Sequence, residues 1–233
     1  MREVSVHDAR HDMPFTSLDV EGFQLVSQKT DVDDFYDDSK IQSTYHAEVK
    51  SLLTEISSAA RVEIFDDTRR SSSIQKQREK NIRETADIVH NDYTAASGVK
   101  RLRDHFAEDP KEAENLLQRR FAIVNVWRSI AGPIYNHPLV LCDATTVRPD
   151  DLVSVERRAE DRIGELQVAL HDSQHRWYYF PKMQMDEALL FKTFDSATDG
   201  RTRFTIHSSF EDPTAPEDAP PRESIETRCL LFF

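Results

Sequence analysis

Two late segments alternate so regularly that each reads as a β-strand with one polar and one apolar face. In Arg203-Phe-Thr-Ile-His-Ser-Ser-Phe210, residues Phe204, Ile206 and Phe210 fall on one side. Arg203, Thr205, His207 and Ser209 fall on the other. From residue 222 to 231, Arg222, Ser224, Glu226 and Arg228 share a face, opposite Ile225, Thr227, Cys229 and Leu231. Successive side chains of a strand point to opposite faces, so each segment presents a polar stripe backed by an apolar one. A β-barrel with a polar lumen and an apolar outer wall under helices produces that pattern. The expected class is therefore mainly β with flanking helices, an α+β fold.

The polar stripes carry the chemistry. Residues 86–93 read as a short strand, in which His90 and Asp92 at i and i+2 project together. With His207 they form two imidazoles and one carboxylate, the ligand set of the facial triad that holds non-haem Fe(II) and leaves coordination positions open. Arg222, with Ser224 beside it, offers a bidentate, charge-assisted partner for the distal carboxylate of a 2-oxo acid. Arg228 lies on the same stripe and competes for that role, or pairs structurally with Glu226. Asn125 and Trp127 share a face of the strand at 121–130 and are candidates to line the lumen. Tyr178 is a further candidate. Lys192 interrupts an apolar strand, either to meet a carboxylate or to snorkel to the surface. His171 and His175 have the i, i+4 spacing of a helical metal pair, but the Asp-Ser-Gln between them lacks the Glu of a zincin motif. The residues alone leave several readings open: an oxygenase, a metal-binding barrel without turnover, a zinc hydrolase using the same two His and one Asp, and a metal-free scaffold. Arg222 and Ser224 favour the first, because a pure metal binder has no use for a 2-oxo acid anchor.

The 233 residues suffice for one substantial core. A formal net charge of −12 repels phosphate backbones and argues against nucleic acid. The basic pairs Arg69-Arg70, Arg119-Arg120 and Arg157-Arg158 are isolated. Cys142 and Cys229 stand far apart, which argues against a disulfide framework and for a reducing, cytoplasmic compartment with both as small core residues. No apolar run approaches membrane-spanning length, and Met1-Arg-Glu-Val-Ser5 has no signal-peptide pattern. The expected partner is a small molecule. A single domain over 1–233 is the simplest organisation. Residues 1–60 form an N-terminal extension with a strand at 22–26 and helical periodicity over 33–56. Residues 61–233 form the core, with a helical insertion at 95–120 broken by Asp109-Pro110. Strands are expected at 61–65, 121–130, 139–142, 177–180 and 189–194, and a terminal core strand at 230–233. Residues 66–84, charged and Ser-rich, read as an exposed loop. Asp199-Gly200 reads as a hairpin turn into the His207 strand, with Arg222 following within one hairpin after a Pro-rich loop.

Several motifs recur in a consistent order. Val89-His-Asn-Asp-Tyr-Thr94, Phe121-Ala-Ile-Val-Asn-Val-Trp-Arg128, Pro138-Leu-Val-Leu-Cys-Asp143, Trp177-Tyr-Tyr-Phe-Pro181, Phe191-Lys-Thr-Phe-Asp-Ser196, Phe204-Thr-Ile-His207 and Arg222-Glu-Ser-Ile-Glu226 together resemble the gibberellin-desaturase-like family. That family is similar in turn to the cephem 7α-methoxylase component and the AsaB-type hydroxylase/desaturases. The resemblance spans roughly residues 60–233. It implies a double-stranded β-helix (jelly-roll) oxygenase that uses Fe(II), 2-oxoglutarate and O2. Such enzymes hydroxylate or desaturate small molecules, mostly in fungal secondary metabolism, and the resemblance carries over no particular substrate.

Overall fold

The computed structural model of the chain describes residues 3–158 and 163–233. Met1, Arg2 and the middle of the 150–163 segment lie outside that description, as do the side chains of the Arg157-Arg158 pair. In chain order the strands are β1 (Val6–Asp8), β2 (Phe23–Ser27), β3 (Arg61–Ser71), β4 (His90–Asn91), β5 (Phe121–Ser129), β6 (Leu139–Cys142), β7 (Leu152–Arg158), β8 (Ile163–Ala169), β9 (Trp177–Tyr179), β10 (Glu187–Asp195), β11 (His207–Ser209) and β12 (Glu223–Phe232). The α-helices are α1 (Ala9–Asp12), α2 (Asp38–Lys40), α3 (His46–Ser57), α4 (Ile74–Lys80), α5 (Ala95–His105) and α6 (Pro110–Leu117).

The strands form two sheets, ordered β1-β9-β6-β11-β4-β8-β7 and β2-β10-β5-β12-β3. Every pairing is antiparallel except β1 with β9. The sheets face each other across an apolar layer that includes Trp127, Leu189 and Phe191 from the five-stranded sheet and Leu139, Leu141 and Tyr178 from the seven-stranded one. No ladder joins the two sheets among the described residues, so the expected barrel takes the form of a two-sheet α+β sandwich.

The alternation seen in the sequence of β12 assigns its two sides. Ile225, Cys229 and Leu231 pack with Val124 and Val126 of β5 beneath Val49, Leu52 and Leu53 of α3. Arg222, Ser224 and Glu226 are buried on the inner side. The central strand β5 is buried at all nine positions, which explains its near-continuous apolar run. The periodicity at 33–56 corresponds to α2, a wide π turn over Ile41–Tyr45, and α3 in succession, with Asp37 Oδ1 accepting from the Ser39 amide at 2.9 Å as N-cap.

Two expectations are corrected. Residues 66–84 are not one exposed loop, because β3 runs on to Ser71 along β12 and α4 follows. The register of β3 against β12 shifts between Arg228 and Cys229, so Ile64 pairs with Cys229 but Asp66 pairs with Arg228. Phe65 is the extra residue of a β-bulge, which reverses the alternation and turns Asp66, Thr68 and Arg70 to the inner side. Asp199-Gly200 does make a turn, with Gly200 at φ +98°. It is not a hairpin, since β10 belongs to the five-stranded sheet and β11 to the other. The passage from β11 to β12 crosses back between sheets in the same way. Residues 1–60 also contribute an edge strand to each sheet, β1 along β9 and β2 along β10.

Candidate active site

The strand expected at 86–93 shrinks to β4, yet its parity holds where it matters. His90 and Asp92 turn inward, while Asn91 between them points the opposite way and is fully buried. The Asn91 amide donates to the Tyr93 carbonyl at 2.6 Å, to Gln167 Oε1 at 3.1 Å and to the Thr193 carbonyl at 3.1 Å. This pins the short loop to β8 and β10. Thr94 then closes the segment by capping α5: its Oγ1 accepts from the Ser97 amide at 3.0 Å, and Ser97 Oγ accepts from the Thr94 amide at 2.9 Å. Thr94 Oγ1 also donates to Glu165 Oε2 of β8 at 2.8 Å. The loop that carries two functional side chains is thus anchored on both flanks.

β11 brings His207 opposite His90 in register, and their ring centroids are 4.5 Å apart. One ligand atom from each of His90, Asp92 and His207 lies within 4.8 Å of the others. His90 Nδ1 donates to the Ile88 carbonyl at 2.7 Å, and His207 Nδ1 donates to the Thr205 carbonyl at 3.0 Å. A carbonyl can only accept, so each neutral ring keeps its proton on Nδ1 and presents the Nε2 lone pair. Asp92 Oδ2 accepts from Asn125 Nδ2 at 2.8 Å and from Arg228 Nε at 3.1 Å, while Oδ1 lies 3.5 Å from His90 Nε2. One carboxylate oxygen is held and the other is left for a metal.

The charges agree with a cation site. Burial opposes ionisation of Asp92, but Arg228 and the two histidines outweigh it and hold its carboxyl well below the usual range. Burial, reinforced by the charge of His90, pushes His207 down to about 3, so this ring is neutral at physiological pH. Burial also works against a charged His90. The hydrogen bond and charge of Asp92 overcome it and raise His90 above its ordinary value. A carboxylate oxygen left free by the Arg228 contact and two imidazole nitrogens that converge on it fit a divalent metal.

The cavity at this cluster is lined by Arg70, His90, His207, Arg222, Glu226 and Arg228. Arg222 is buried, with its guanidinium over the Trp127 ring at 5.1 Å. Its Nε donates to Ser224 Oγ at 3.1 Å and its Nη1 to the His137 carbonyl at 2.7 Å. Both partners are neutral, and among the described residues Arg222 forms no ion pair. Burial and the neighbouring charge of Arg70 lower its pKa to about 9. Arg228, the competing anchor, is already committed. It contacts Asp92, Glu226 and, through Nη1, Asp66 Oδ2 at 2.6 Å and Thr68 Oγ1 at 2.9 Å.

The remaining candidates separate. Asn125 touches Asp92, beside the three clustered side chains. Trp127 supports Arg222. Tyr178 packs in the layer between the sheets and against His7, with ring centroids 5.6 Å apart, and does not line the cavity. Lys192 is buried away from the cavity, its Nζ 2.5 Å from Asp19 Oδ1 and 2.9 Å from Asp195 Oδ2. His175 turns to Asp151 at 3.1 Å and forms no metal pair with His171. Sequence reasoning missed Asn91, whose signal was only its place inside His-x-Asp, and Arg70, which the bulge concealed.

Two inward strands, a two-His-one-carboxylate cluster and an unpaired buried arginine beside it define an oxygenase of the non-haem iron class. Comparison with known proteins agrees. A family described as "Oxidoreductase/YMDC permease-like domain" matches residues 1–232. The Hydroxylase/desaturase CTB9 of Cercospora beticola is 33% identical over 253 residues, covering 100% of this chain and 76% of that protein. The Fe(II)/2-oxoglutarate-dependent dioxygenase nvfI of Aspergillus novofumigatus is 33% identical over 243 residues, covering 99% of this chain and 83% of that one. A solved structure of the iron and alpha-ketoglutarate-dependent endoperoxidase NvfI superposes with a TM-score of 0.88 at 30% identity, over 98% of this chain and 85% of the other. The chain belongs to the fungal hydroxylase/desaturase family of Fe(II)/2-oxoglutarate-dependent oxygenases. It is a non-haem iron enzyme with Fe(II) as cofactor and 2-oxoglutarate and O2 as co-substrates, acting on a small molecule in fungal secondary metabolism. That settles the choice among the oxygenase, zinc-hydrolase and non-catalytic readings. Among the described residues no helix is long and apolar enough to cross a membrane.

Proposed function

We propose that His90, Asp92 and His207 hold the Fe(II), that Arg222 binds the far carboxylate of 2-oxoglutarate, and that the enzyme hydroxylates or desaturates its small-molecule substrate. The two sheets are read as the halves of a double-stranded β-helix that encloses this site. The observation that carries the proposal is Arg222, a buried cation without a carboxylate partner in the same cavity as the three ligand side chains. A charge removed from water without a partner is costly, and an incoming carboxylate would supply one.

When bound, the iron and 2-oxoglutarate supply the oxidising power of the reaction with O2. The chain's own residues orient and shield. Ile88 and Thr205 fix the imidazole tautomers through their carbonyls. Asn125 and Arg228 turn Asp92 so that Oδ1 faces the two rings. Ser224 and the His137 carbonyl steer the Arg222 fork, and Trp127 backs it. The interlayer side chains Leu139, Leu141 and Phe191 exclude water beside the cluster. Cys142 and Cys229, both free and buried, accord with a reducing cytoplasmic setting.

The test is conversion of 2-oxoglutarate to succinate by the iron-loaded enzyme, with 2-oxoglutarate binding measured separately on the anaerobic protein. Arg222→Leu is expected to weaken 2-oxoglutarate binding by roughly a hundredfold or more and leave metal binding intact. Unchanged 2-oxoglutarate affinity in that variant overturns the assignment of Arg222.

A further inference from the structure

We infer that Arg70 is a second anion-binding group of this cavity, which takes a carboxylate alongside Arg222. The inference rests on the metal and co-substrate assignment above and extends it to a residue on a different strand.

Arg70 reaches the cavity because of the β3 bulge. Beyond Phe65, the inner positions of β3 are Asp66, Thr68 and Arg70, which lie opposite Arg228, Glu226 and Ser224. The first two are engaged, since both Asp66 Oδ2 and Thr68 Oγ1 meet Arg228 Nη1. Arg70, opposite Ser224, lines the cavity with His90, His207 and Arg222. Its Nη1 donates to the Glu84 carbonyl at 2.8 Å, and among the described residues it has no ion pair. The acids that could neutralise it are occupied. Glu226 is in contact with Arg228, and Asp92 is held by Arg228 and Asn125.

Two guanidinium groups thus share one cavity with no ion pair to either among the described residues, and the carboxylate in its lining, Glu226, is taken up by Arg228. Burial lowers the pKa of Arg70, and burial together with the charge of Arg70 lowers that of Arg222. Like charges persist side by side when an anion completes the site. The ligand chemistry is a carboxylate, and it has two sources: the tail of 2-oxoglutarate, shared with Arg222, or a carboxylate on the second ligand that enters the loaded site.

The experiment uses the full chain loaded anaerobically with Mn(II). Calorimetry is run with 2-oxoglutarate, with 2-oxopentanoate, which has the same chain length but no distal carboxylate, and with acetate added to the 2-oxoglutarate-loaded protein. The variants are Arg70→Gln, Arg70→Lys and Arg222→Leu, with Mn(II) affinity and thermal unfolding checking that each is folded and holds metal. Loss of one charge-assisted contact should weaken binding about tenfold to a hundredfold. If Arg70→Gln weakens 2-oxoglutarate by that factor, spares 2-oxopentanoate and is partly rescued by Arg70→Lys, the partner is the co-substrate tail. If 2-oxoglutarate is unaffected but acetate no longer binds the loaded protein, the partner is a second, carboxylate-bearing ligand. If neither carboxylate responds, or both oxo acids weaken equally, the inference is overturned. Should Arg222→Leu also leave 2-oxoglutarate untouched, the underlying co-substrate assignment falls as well; a response to Arg222 alone overturns only the role of Arg70.

Discussion

Asn125→Leu separates metal positioning from folding. Asn125 sits at the centre of β5, paired laterally with Phe191 of β10 and Arg228 of β12, and is fully buried. Its Nδ2 donates to Asp92 Oδ2 at 2.8 Å, and its Oδ1 has no hydrogen-bond partner. Leucine removes the bond to a charged group, a loss of about 1.5–3 kcal/mol. It also removes the unsatisfied buried oxygen, a gain of about 1–3 kcal/mol. The two nearly cancel, so the unfolding free energy of the metal-free protein should change by less than about 1.5 kcal/mol. The ligand itself is affected differently: with only Arg228 left to orient Asp92, metal affinity should fall about 10- to 100-fold, as for other outer-shell partners of ligands. Urea unfolding of the metal-free variant and a Co(II) titration followed by visible absorption read the two effects independently. Unchanged Co(II) affinity would show that Arg228 alone orients Asp92. A stability loss well beyond 3 kcal/mol or so would show that the Asn125 amide, contrary to the argument, holds the two sheets together.

His207→Ala should abolish metal binding in the same titration while the secondary structure by circular dichroism persists; full metal occupancy in that variant refutes the ligand set. Arg222→Leu should raise the 2-oxoglutarate Kd by roughly a hundredfold or more, since leaving a buried carboxylate without its partner costs about 3–5 kcal/mol. Metal binding should release a proton from His90 at pH values below its raised pKa, because Asp92 raises that pKa while His207 is already neutral. The sign follows: the stability that protonated His90 lends the metal-free protein is full below its unfolded pKa of about 6.5 and is lost as pH rises through the raised folded value. Metal affinity therefore climbs across the same window, and a pH-independent affinity between 6 and 8 or so would contradict it. Gly98→Ala should destabilise by about 1–3 kcal/mol, because its Cβ would stand 2.6 Å from Cδ2 of the buried Phe194 ring; an unchanged melting temperature would mean that α5 shifts freely on β10.

The parts of the site that could be read in sequence were those governed by local geometry. The i, i+2 relation of His90 and Asp92 needs only two residues of extended backbone, so it survived although β4 is just His90–Asn91. The inward stripe of β12 was legible because that strand pairs with β5 from Ser224 to Phe232 without a register shift. β3 was legible only over 61–65, because a single extra residue at Phe65 reverses its alternation, and Arg70 beyond it went unseen. Lys192, which does meet carboxylates, was left open for a different reason. A lysine within an apolar run signals a buried or an edge partner equally well, and Asp19, which meets it, lies 173 residues away.

What the sequence determined by itself was the chemistry available: two histidines and an aspartate at strand parity, an arginine and a serine on one face, and an apolar back to every inward stripe. Each follows from side-chain period and covalent order. Tertiary structure alone decided which arginine is free. Arg222 and Arg228 are equivalent in pattern, on one face of one strand. Besides Glu226 on its own strand, Asp92 from the facing sheet and Asp66 from the neighbouring strand approach Arg228 and neutralise it. Arg222 meets only a hydroxyl, a carbonyl and an indole ring. Charge compensation depends on distances of about 3–4 Å between residues far apart in the chain, and no periodicity within a strand encodes such distances.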